Sequence, residues 1–507
     1  MNSRGVIRMT AFLILISVNS ISQAFATPVM IKLLIQDRED YNKIGNLNIP
    51  VYHRQESFLI AEFEDLNLKA LDDAGLRYEI IDRRPWTTSY YVVSRSQPGV
   101  DTDLSLFGEV LVQEEDFHLL KISDEMANSL AGKGYHIAKV FRQNLPLKSK
   151  QTIEPKLKPY SYDPGIDSLL SLVSQDSLFT WNLRLQNFKT RYSYSDSIYR
   201  ASQWLFDKLA SFDIDSVYFH HFTEDLIDQY NVVAVIPGTV CQDKVIVVGG
   251  HYDSVVYGTG TNPYTWAPGA DDNGSGTVAT LEIARIVAEN PLPVTVIFVP
   301  FAMEEQGLIG SYHFAEYLYN DSIDVRLMLN ADMIGHSVDE VNDVWILASS
   351  RAMEFVNIMI DMASTYTSLT AGYSGQSSGS DHYSFYQWGY HALFAQEGEF
   401  FTYGWHKNYD VIDSLDFSYM KEVVKMELAT LITVAYSLEP DYLPGDANAD
   451  GDVTVADVIY LINYFFKSGP YPEPYGAGDC NNDGSITVSD IVYLINHLFK
   501  GGPSPRC

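Results

Sequence analysis

Hydrophobic residues are concentrated in four near-continuous runs in the middle of the chain. The runs are "NVVAVIPG" (231–238), "KVIVVGGHYDS" (244–254), "VTVIFVPFAMEE" (294–305) and "VRLMLNADMIG" (325–335). Runs without polar alternation are typical of central strands that are covered on both faces. Segments with helical character separate them, as in α/β domains. The pattern predicts an α/β domain over residues 166–438, whose mostly parallel, mixed central sheet is flanked by helices.

The segment before this domain contains an internal repeat. Residues 56–80 align without gaps on residues 115–139, and Gly75 matches Gly134 at a spacing of 59 residues. Each unit has the pattern of a strand, a short helix, a glycine cap and a second strand. We therefore expect a small α+β domain over residues 27–150. It is either a pro-domain that aids folding or an accessory domain that stays attached.

A second repeat lies near the C-terminal end. Residues 445–470 match residues 478–503 at a spacing of 33 residues. The pair predicts a separate small domain over residues 445–507. Two linkers are expected between the three domains, one over residues 151–165, which is rich in Pro and Lys, and one over residues 439–444.

Composition narrows the classes of partner. The chain has 507 residues and a formal net charge of −31. Such a charge repels nucleic-acid phosphates and anionic lipid, so no nucleic-acid partner is expected. Residues 1–26 combine Arg4 and Arg8 with a short apolar run and the sequence "AFA", which predicts a cleaved signal peptide and a secreted protein. No later stretch reaches the roughly 18 apolar residues that a membrane span needs.

Polar clusters follow three of the apolar runs. His251 and Asp253 come after the second run, Glu304 and Glu305 after the third, and Asp332 after the fourth. In open α/β sheets, ligands bind at the carboxyl ends of strands. His251 and Asp253 are two residues apart, so they face the same side of an extended segment. His251 can therefore bind a metal while Asp253 holds its other ring nitrogen or orients the loop.

The stretch "GADDNGSG" (269–276) places two carboxylates side by side among glycines. Adjacent carboxylates repel each other unless a cation lies beside them. The region has no cysteine pair, so a zinc site here must use histidine and carboxylate ligands. Two zinc ions about 3.5–4 Å apart need a shared ligand. We expect Asp271 to bridge them, while Asp272 points away and holds the loop.

Six blocks, in the family's order, resemble the secreted di-zinc aminopeptidases, such as the bacterial leucyl aminopeptidases. The same family includes glutamate-carboxypeptidase-like enzymes and glutaminyl cyclases. The blocks are "GGHYDS" (249–254), "PGADDNGSG" (268–276), "MEEQGLIGS" (303–311), "NADMIG" (330–335), "SGSDHYSFYQWGYHALF" (378–394) and "WHKNYD" (405–410). The resemblance implies a zinc-exopeptidase fold, two zinc ions and a peptide substrate.

The resemblance also implies roles for the matched residues. The expected zinc ligands are His251, Asp271, Glu305, Asp332 and His406. His251 and Asp332 would hold one ion, Glu305 and His406 would hold the other, and Asp271 would bridge them. Glu304 would be the general base that takes a proton from the attacking water, with Asp253 as a second catalytic residue.

The substrate pocket is less closely defined. Asp381 and His382 are expected to line it. Many relatives have a tyrosine, whose hydroxyl can stabilise the oxyanion, where this chain has Trp405. Tyr373 or another tyrosine is expected to serve instead. The alternatives to an aminopeptidase are a carboxypeptidase, a one-zinc glutaminyl cyclase, or a non-catalytic surface protein that acts through its C-terminal domain.

Each C-terminal repeat has the spacing of a calcium loop, with acidic or amide residues at positions 1, 3, 5 and 12 and glycine at position 6. The expected calcium ligands are Asp446, Asn448, Asp450, Asp452 and Asp457 in the first loop, and Asp479, Asn481, Asp483, Ser485 and Asp490 in the second. A helix-forming stretch follows each loop but does not precede the first. This arrangement resembles a type I dockerin. The resemblance implies two Ca²⁺ ions and a cohesin-like partner module on a scaffold or cell surface.

The chain has three cysteines, Cys241, Cys480 and Cys507. At a spacing of 33 residues, Ala447 and Pro474 stand opposite the last two. Because the first repeat lacks both cysteines together, we expect a disulfide between Cys480 and Cys507. Cys241 is then expected to be free and buried near a strand.

Overall fold

The computed structural model describes residues 27–95, 100, 102–115, 117–147, 162–258, 260–337, 343–398 and 404–507. The expected signal peptide, residues 1–26, lies outside the described residues, as does most of the linker predicted over residues 151–165. None of the described helices is long and apolar enough to cross a membrane.

The N-terminal repeat forms two small sheets of the same design. The first unit contains β1 (Pro28–Leu34), α1 (Arg38–Asn46), β2 (Val51–Arg54), β3 (Phe58–Glu64), α2 (Lys69–Asp73) and β4 (Arg77–Asp82). The second contains β5 (Tyr90–Arg95), β6 (Glu109–Gln113), β7 (His118–Lys121), α3 (Asp124–Ala131) and β8 (Tyr135–Val140). The strand orders are β2-β3-β1-β4 and β6-β7-β5-β8. The second order is the first shifted by four strands, so the sequence repeat corresponds to a repeated fold.

The N-terminal sheets share hydrophobic cores with the α/β domain. Val29 and Ile31 of β1 belong to the same buried cluster as Val247 and Phe301 of the central sheet. A second cluster joins other N-terminal strand residues to Leu308, Tyr383 and Tyr386. Apolar burial on this scale stabilises the contact between the two domains.

The central domain alternates strands and helices. Its elements are α4 (Pro164–Leu170), α5 (Gln175–Gln186), α6 (Asp196–Ala210), β9 (Ser216–Glu224), β10 (Ile227–Ile236), β11 (Cys241–His251), α7 (Gly274–Glu289), β12 (Val294–Phe301), α8 (Ile309–Asn320), β13 (Asp324–Ala331), β14 (Asp343–Leu347), α9 (Met353–Tyr366), β15 (Thr370–Tyr373), α10 (His382–Gln387), β16 (Ala392–Glu397) and α11 (Phe417–Ser437). The eight strands have the order β15-β14-β16-β13-β11-β12-β10-β9. This mixed sheet confirms the predicted fold class.

Three adjacent strands at the centre of the sheet run parallel. Strand β11 pairs with β12 on one side and with β13 on the other, both in parallel. The carboxyl ends of these strands therefore lie at one edge of the sheet, where α7 also begins. Gly276 of α7 lies so close to β13 that a Cβ atom would sit 1.9 Å from the carbonyl oxygen of Ala331. Only glycine fits there, which explains one glycine of the "GADDNGSG" stretch.

The C-terminal repeat forms α12 (Val455–Lys467), α13 (Tyr475–Gly478) and α14 (Val488–Lys500). Its small core contains Ala447, Val458, Leu461, Cys480, Ile486, Ile491 and Leu494. Each long helix begins with a capping box, formed by Thr454 and Asp457 in α12 and by Thr487 and Asp490 in α14. The helices lie one repeat apart, as the sequence predicts.

The predicted disulfide is wrong. Cys507 is bonded to Cys241, at the start of β11, whereas Cys480 is a free thiol buried in the small C-terminal core. The last residues run along the central domain, where the Cys507 amide donates to Asp243 Oδ1 at 3.2 Å. The shared absence of two cysteines from one repeat said nothing about which sulfurs meet, because that depends on where the chain end packs.

Candidate metal centre

The carboxyl ends of three strands and one further loop bring the expected site residues to one edge of the sheet. His251 is the last residue of β11, Asp332 follows β13, and Glu304 and Glu305 lie shortly after the end of β12. His406 comes from a loop between β16 and α11. These side chains are buried. The polar clusters therefore meet at the carboxyl ends of the strands, as expected for an open α/β sheet.

Two groups of ligand atoms share one residue. His251, Asp272 and Asp332 form the first group, and Asp272, Glu305 and His406 form the second. Asp272 Oδ1 lies 3.5 Å from His251 Nε2, and its Oδ2 lies 3.4 Å from His406 Nε2. The remaining contacts are 3.4 Å from His251 Nε2 to Asp332 Oδ2 and 2.8 Å from His406 Nε2 to Glu305 Oε2.

The structure puts Asp272, and not Asp271, in the shared position. The Asp410 carboxylate accepts the amides of Asp271 and Asp272 at 2.8 and 3.0 Å, which fixes the loop. Asp271 Oδ1 instead accepts the Gly335 amide at 2.9 Å. Its carboxyl group is also hydrogen-bonded to that of Glu397. The roles expected for the two neighbouring aspartates are thus reversed, because consecutive side chains point to opposite sides of the fixed loop.

Asp253 supports both the histidine and the glutamates. Its Oδ1 lies 3.4 Å from His251 Nδ1. The same carboxylate accepts the amides of Glu304 at 3.1 Å and of Glu305 at 3.3 Å, and the Ser193 hydroxyl at 3.0 Å. Asp253 therefore orients His251 and the loop that carries the two glutamates, the role expected from its spacing in the sequence.

Buried charge defines the electrostatics of the centre. Burial raises the pKa of Glu304 well above its usual range; the neighbouring Glu305 carboxylate raises it further, while His251 opposes the rise. Burial also raises the pKa of Glu305, as well as that of Asp272, to which the Glu305 charge contributes. Carboxylates packed in this way repel one another unless protons or cations neutralise them.

The donor set fits zinc. Asp272 Oδ2, Glu305 Oε1 and Asp332 Oδ1 are buried oxygens that receive no hydrogen bond from the described residues. Buried polar atoms without hydrogen bonds call for a further partner such as an ion. Imidazole nitrogen and carboxylate oxygen are zinc ligands, and the shared Asp272 offers one oxygen to each group.

Ser380 is a supporting residue that the sequence reasoning missed. Its hydroxyl donates to Asp332 Oδ2 at 2.7 Å and accepts from Asn330 Nδ2 at 2.8 Å. It belongs to the "SGSDH" block, directly before the two residues expected to line the pocket. The general tendency of ligand carboxylates to be held by further hydrogen bonds is a signal that could have identified it.

Three expected pocket residues do not line the central cavity. Asp381 and His382 are buried and are not among the residues that line the central cavity. His382 packs against Phe394, with 4.9 Å between ring centroids. Tyr373 is 37% exposed and donates its hydroxyl to the Ala348 carbonyl. It lines a different cavity, with Phe58 and Phe117.

The central cavity has walls from two domains. The central domain contributes His251, Asp272, Glu304, Glu305, Asp332, Met333, Gly379, Gln396, Trp405 and His406. The N-terminal repeat contributes Ala131, Tyr135, His136 and Ile137. Trp405 stacks on His406 at 4.3 Å between centroids. The N-terminal contribution could not be predicted from the sequence, because neither repeat unit carries a recognisable site motif.

The C-terminal loops hold their acidic residues by local hydrogen bonds. Asp446 accepts the amides of Asp450 and Gly451 at 3.0 and 2.8 Å, and Asp457 accepts those of Asn448 and Thr454 at 3.1 and 2.8 Å. The second loop repeats all four contacts. Gly451 and Gly484 have φ values of 95° and 90°, which explains glycine at position 6 of each loop.

Two known protein families match separate parts of the chain. Residues 231–431 match Peptidase family M28, and residues 444–499 match the Dockerin type I domain. A leucine aminopeptidase 1 of Ajellomyces capsulatus is 33% identical over 294 residues, which cover 54% of this chain and 74% of that protein. A probable aminopeptidase of Saccharomyces cerevisiae is 30% identical over 312 residues, covering 57% and 82%.

Solved structures show the same fold. The Legionella pneumophila LapA aminopeptidase has a TM-score of 0.55 at 21% identity, covering 69% of this chain and 99% of that one. LapB from the same organism has a TM-score of 0.52 at 20% identity, covering 68% and 99%. The fold is that of the zinc exopeptidases. The chain belongs to peptidase family M28, a family of metallopeptidases, and carries a C-terminal type I dockerin domain.

Proposed function

We propose that this protein is a secreted di-zinc aminopeptidase. The observation that carries the proposal is that no Lys or Arg is among the described residues that line the cavity. The N-terminal amine of a substrate needs no such cation. A carboxypeptidase instead needs a cation for the terminal carboxylate of its substrate, and this cavity offers none from the described residues.

The proposed ligands follow from the two groups that share Asp272. His251 and Asp332 would hold one ion, Glu305 and His406 would hold the other, and Asp272 would contribute to both. Two zinc ions bound there would polarise the scissile carbonyl and lower the pKa of the attacking water.

Glu304 is the proposed general base. Its carboxylate lines the cavity and its Oε2 lies 3.8 Å from His251 Nε2. It accepts the proton of the attacking water and delivers it to the amine that leaves. Asp253 keeps the base in place through the Glu304 amide, so Asp253 acts as a positioning residue.

Tyr257 is the proposed oxyanion donor in place of the tyrosine that Trp405 replaces. Its hydroxyl is buried and has no hydrogen-bond partner among the described residues. Its ring meets His406 edge-on at 5.2 Å, and its amide donates to the His406 carbonyl at 3.0 Å. Burial, followed by the Glu305 charge, raises the pKa of this phenol well above its usual range. The hydroxyl therefore keeps its proton and can donate a hydrogen bond to a developing negative charge.

The dockerin domain supports an extracellular role. We propose that its two loops each bind a Ca²⁺ ion and that it attaches the enzyme to a cohesin-like module of a scaffold or cell surface. In support, backbone amides hold the acidic residue at position 1 of each loop, Asp446 in the first and Asp479 in the second. Oxygen ligands at this spacing suit calcium.

Hydrolysis of aminoacyl-nitroanilides tests the proposal. The substrates are offered to the native protein, to Glu304→Gln and to the exposed control Glu289→Gln, with zinc content measured for each. Each protein is assayed before and after cleavage in the predicted linker, because N-terminal residues line the cavity. We expect zinc-dependent release of the first residue, lost only in Glu304→Gln. If the zinc-loaded, cleaved protein acts only on amino-blocked peptides or cyclises N-terminal glutamine, the aminopeptidase assignment is wrong.

A further inference from the structure

A buried arginine, Arg191, lies close to the acidic residues of the metal centre. Its side chain is fully buried in the segment between α5 and α6. Burial lowers the pKa of its guanidinium to about 10, while four carboxylates oppose this shift; they are Asp410, Asp253, Asp272 and Glu305. The guanidinium therefore stays charged at neutral pH. A buried charge is costly unless its surroundings compensate it, and here the nearby carboxylates do so.

The guanidinium joins two segments of the chain through backbone carbonyls. Arg191 Nε donates to the Tyr252 carbonyl at 2.6 Å. Its Nη1 and Nη2 donate to the carbonyls of Pro268 and Gly269, both at 2.7 Å. The first carbonyl belongs to the segment that follows β11, and the other two begin the loop that carries the shared aspartate. A planar guanidinium can bond to both segments at once, which the single nitrogen of a lysine cannot do in the same geometry.

Backbone contacts extend the same connection. The Arg191 amide donates to Ser254 Oγ at 3.1 Å, and the Ser254 hydroxyl donates to the Ala267 carbonyl at 2.8 Å. The Ala267 amide donates in turn to the Lys189 carbonyl at 2.8 Å. A Cβ atom on Gly269 would lie 2.9 Å from Arg191 Nη2, so glycine leaves room for the guanidinium. Three segments are thus hydrogen-bonded to one another around a single side chain.

The two segments that Arg191 joins carry residues of both ligand groups. His251 comes directly before Tyr252, and Asp272 comes three residues after Gly269. His251 belongs to the first group only, whereas Asp272 belongs to both. The position of one segment relative to the other therefore decides whether the shared carboxylate can reach both groups.

We propose that Arg191 is a positioning residue that holds the loop of Asp272 against the segment of His251, so that one centre can bind two ions. Arg191 is not among the residues that line the cavity, so it acts through the two segments and not on the substrate. It also precedes residues 231–431, which match the peptidase family. This inference rests on the proposed di-zinc centre and deepens it.

The test compares the native full chain with Arg191→Met and Arg191→Lys. The first variant removes both the charge and the hydrogen bonds, and the second keeps the charge alone. Metal-free protein is titrated with Zn²⁺, and hydrogen exchange over residues 252–254 and 267–272 is measured before any metal is added. We expect the second ion to bind about 10- to 100-fold more weakly in both variants, and exchange in both segments to accelerate.

Kinetics with leucine p-nitroanilide at a fixed, subsaturating zinc concentration provide a third reading. We expect kcat to fall by about the same factor as the affinity for the second ion, with KM nearly unchanged, because Arg191 does not line the cavity. Arg285→Lys is the matched control. The Arg285 guanidinium also donates to a backbone carbonyl, that of Leu172 at 2.8 Å, and it too lies outside the lining of the cavity. This variant should bind both ions as the native protein does.

A second control separates positioning from general stability. Leu209→Ala removes a buried side chain of α6 that does not line the cavity, and it should lower the unfolding temperature without weakening the second ion. Equal loss of the second ion in Leu209→Ala and Arg191→Met would overturn the proposal. Native zinc binding and exchange in Arg191→Lys would also overturn it, since charge alone would then suffice. If Arg191→Met does not fold, Arg191→Lys decides.

The proposal and the aminopeptidase assignment fail separately. If the Arg191 variants lose the second ion and exchange faster, but the native protein hydrolyses no unblocked substrate, Arg191 is supported and the aminopeptidase assignment is wrong. If the native protein releases the first residue and the Arg191 variants bind zinc and exchange as it does, the assignment stands and the role of Arg191 is wrong.

Discussion

Two sets of acidic residues, one at the metal centre and one in the dockerin loops, are held in opposite ways. In the loops, Asp446 and Asp457 receive their hydrogen bonds from amides a few residues away. At the centre, Asp272 and Glu305 keep buried oxygens that no described residue hydrogen-bonds. The loop carboxylates are stabilised locally before any ion binds. The central carboxylates depend on an ion or a proton, because the protein supplies too little compensation.

The contrast explains why the sequence predicts the ligand positions of one site more fully than those of the other. A calcium loop is formed by twelve consecutive residues, so the spacing of its ligands is also its geometry. The metal centre draws on strand ends and loops between His251 and His406. Which of two neighbouring carboxylates faces the centre depends on contacts such as that of Asp410 with the loop.

The largest expected effect comes from substituting the two neighbouring aspartates one at a time. Asp272→Asn should lower kcat/KM by more than about a thousandfold and reduce bound zinc, because the bridging carboxylate is lost. Asp271→Asn should cost only about 10- to 100-fold, since an outer hydrogen-bonding partner changes. Kinetics and zinc analysis of the cut protein measure both. A larger effect for Asp271→Asn would restore the expectation drawn from the sequence.

Selective metal removal should separate the two sites. Phenanthroline, a nitrogen chelator, should abolish peptidase activity and leave the dockerin fold intact, because calcium prefers oxygen ligands. Calcium removal with EGTA in a zinc-buffered solution should do the reverse. Activity and hydrogen exchange over residues 445–500 provide the two readings. Loss of activity on calcium removal alone would mean that the two sites are coupled and not independent.

Tyr257→Phe removes one buried hydroxyl from the ring that contacts His406 and nothing else. We expect kcat to fall about a hundredfold, the usual cost of an oxyanion donor, with KM and zinc content nearly unchanged. Tyr373→Phe is the matched control, because the Tyr373 hydroxyl donates to the Ala348 carbonyl outside the central cavity. Equal kinetics for the two variants would remove Tyr257 from the mechanism.

The smallest effect concerns a buried carboxylate that belongs to neither site. Burial raises the pKa of Glu427 in α11 to about 8. The folded protein therefore keeps a proton that the unfolded chain releases near the ordinary glutamate pKa of 4.5. Stability from this group is full below that value and is lost as pH rises towards about 8, by at most about 1.4 kcal/mol per pH unit.

Glu427→Gln should weaken this dependence. The variant should unfold at a temperature that falls less than that of the native protein between pH 5 and pH 8, whereas the exposed control Glu289→Gln should follow the native curve. Thermal unfolding at constant calcium and zinc measures the difference. Parallel curves for all three proteins would show that Glu427 stays ionised in the folded state.

Much of the fold could be predicted from the sequence. The apolar runs became β10, β11, β12 and β13, and both repeats became repeated folds, because periodicity and spacing act over short distances. The rule that ligands bind at the carboxyl ends of strands predicted that His251, Glu305 and Asp332 lie close together. Tyr373 could not be placed, since the sequence does not specify how the β15 edge of the sheet is oriented relative to the cavity.

By itself, the sequence determined the sheet, the two duplications and four of the residues that meet at the candidate metal centre. These follow from residue type and local spacing. The tertiary structure decided that Asp272 is shared instead of Asp271, that Cys507 reaches Cys241, and that the start of β8 lines the central cavity. Each of these depends on which surfaces meet after folding. Contacts between residues that are distant in the chain are fixed by packing of the whole molecule and leave no local pattern.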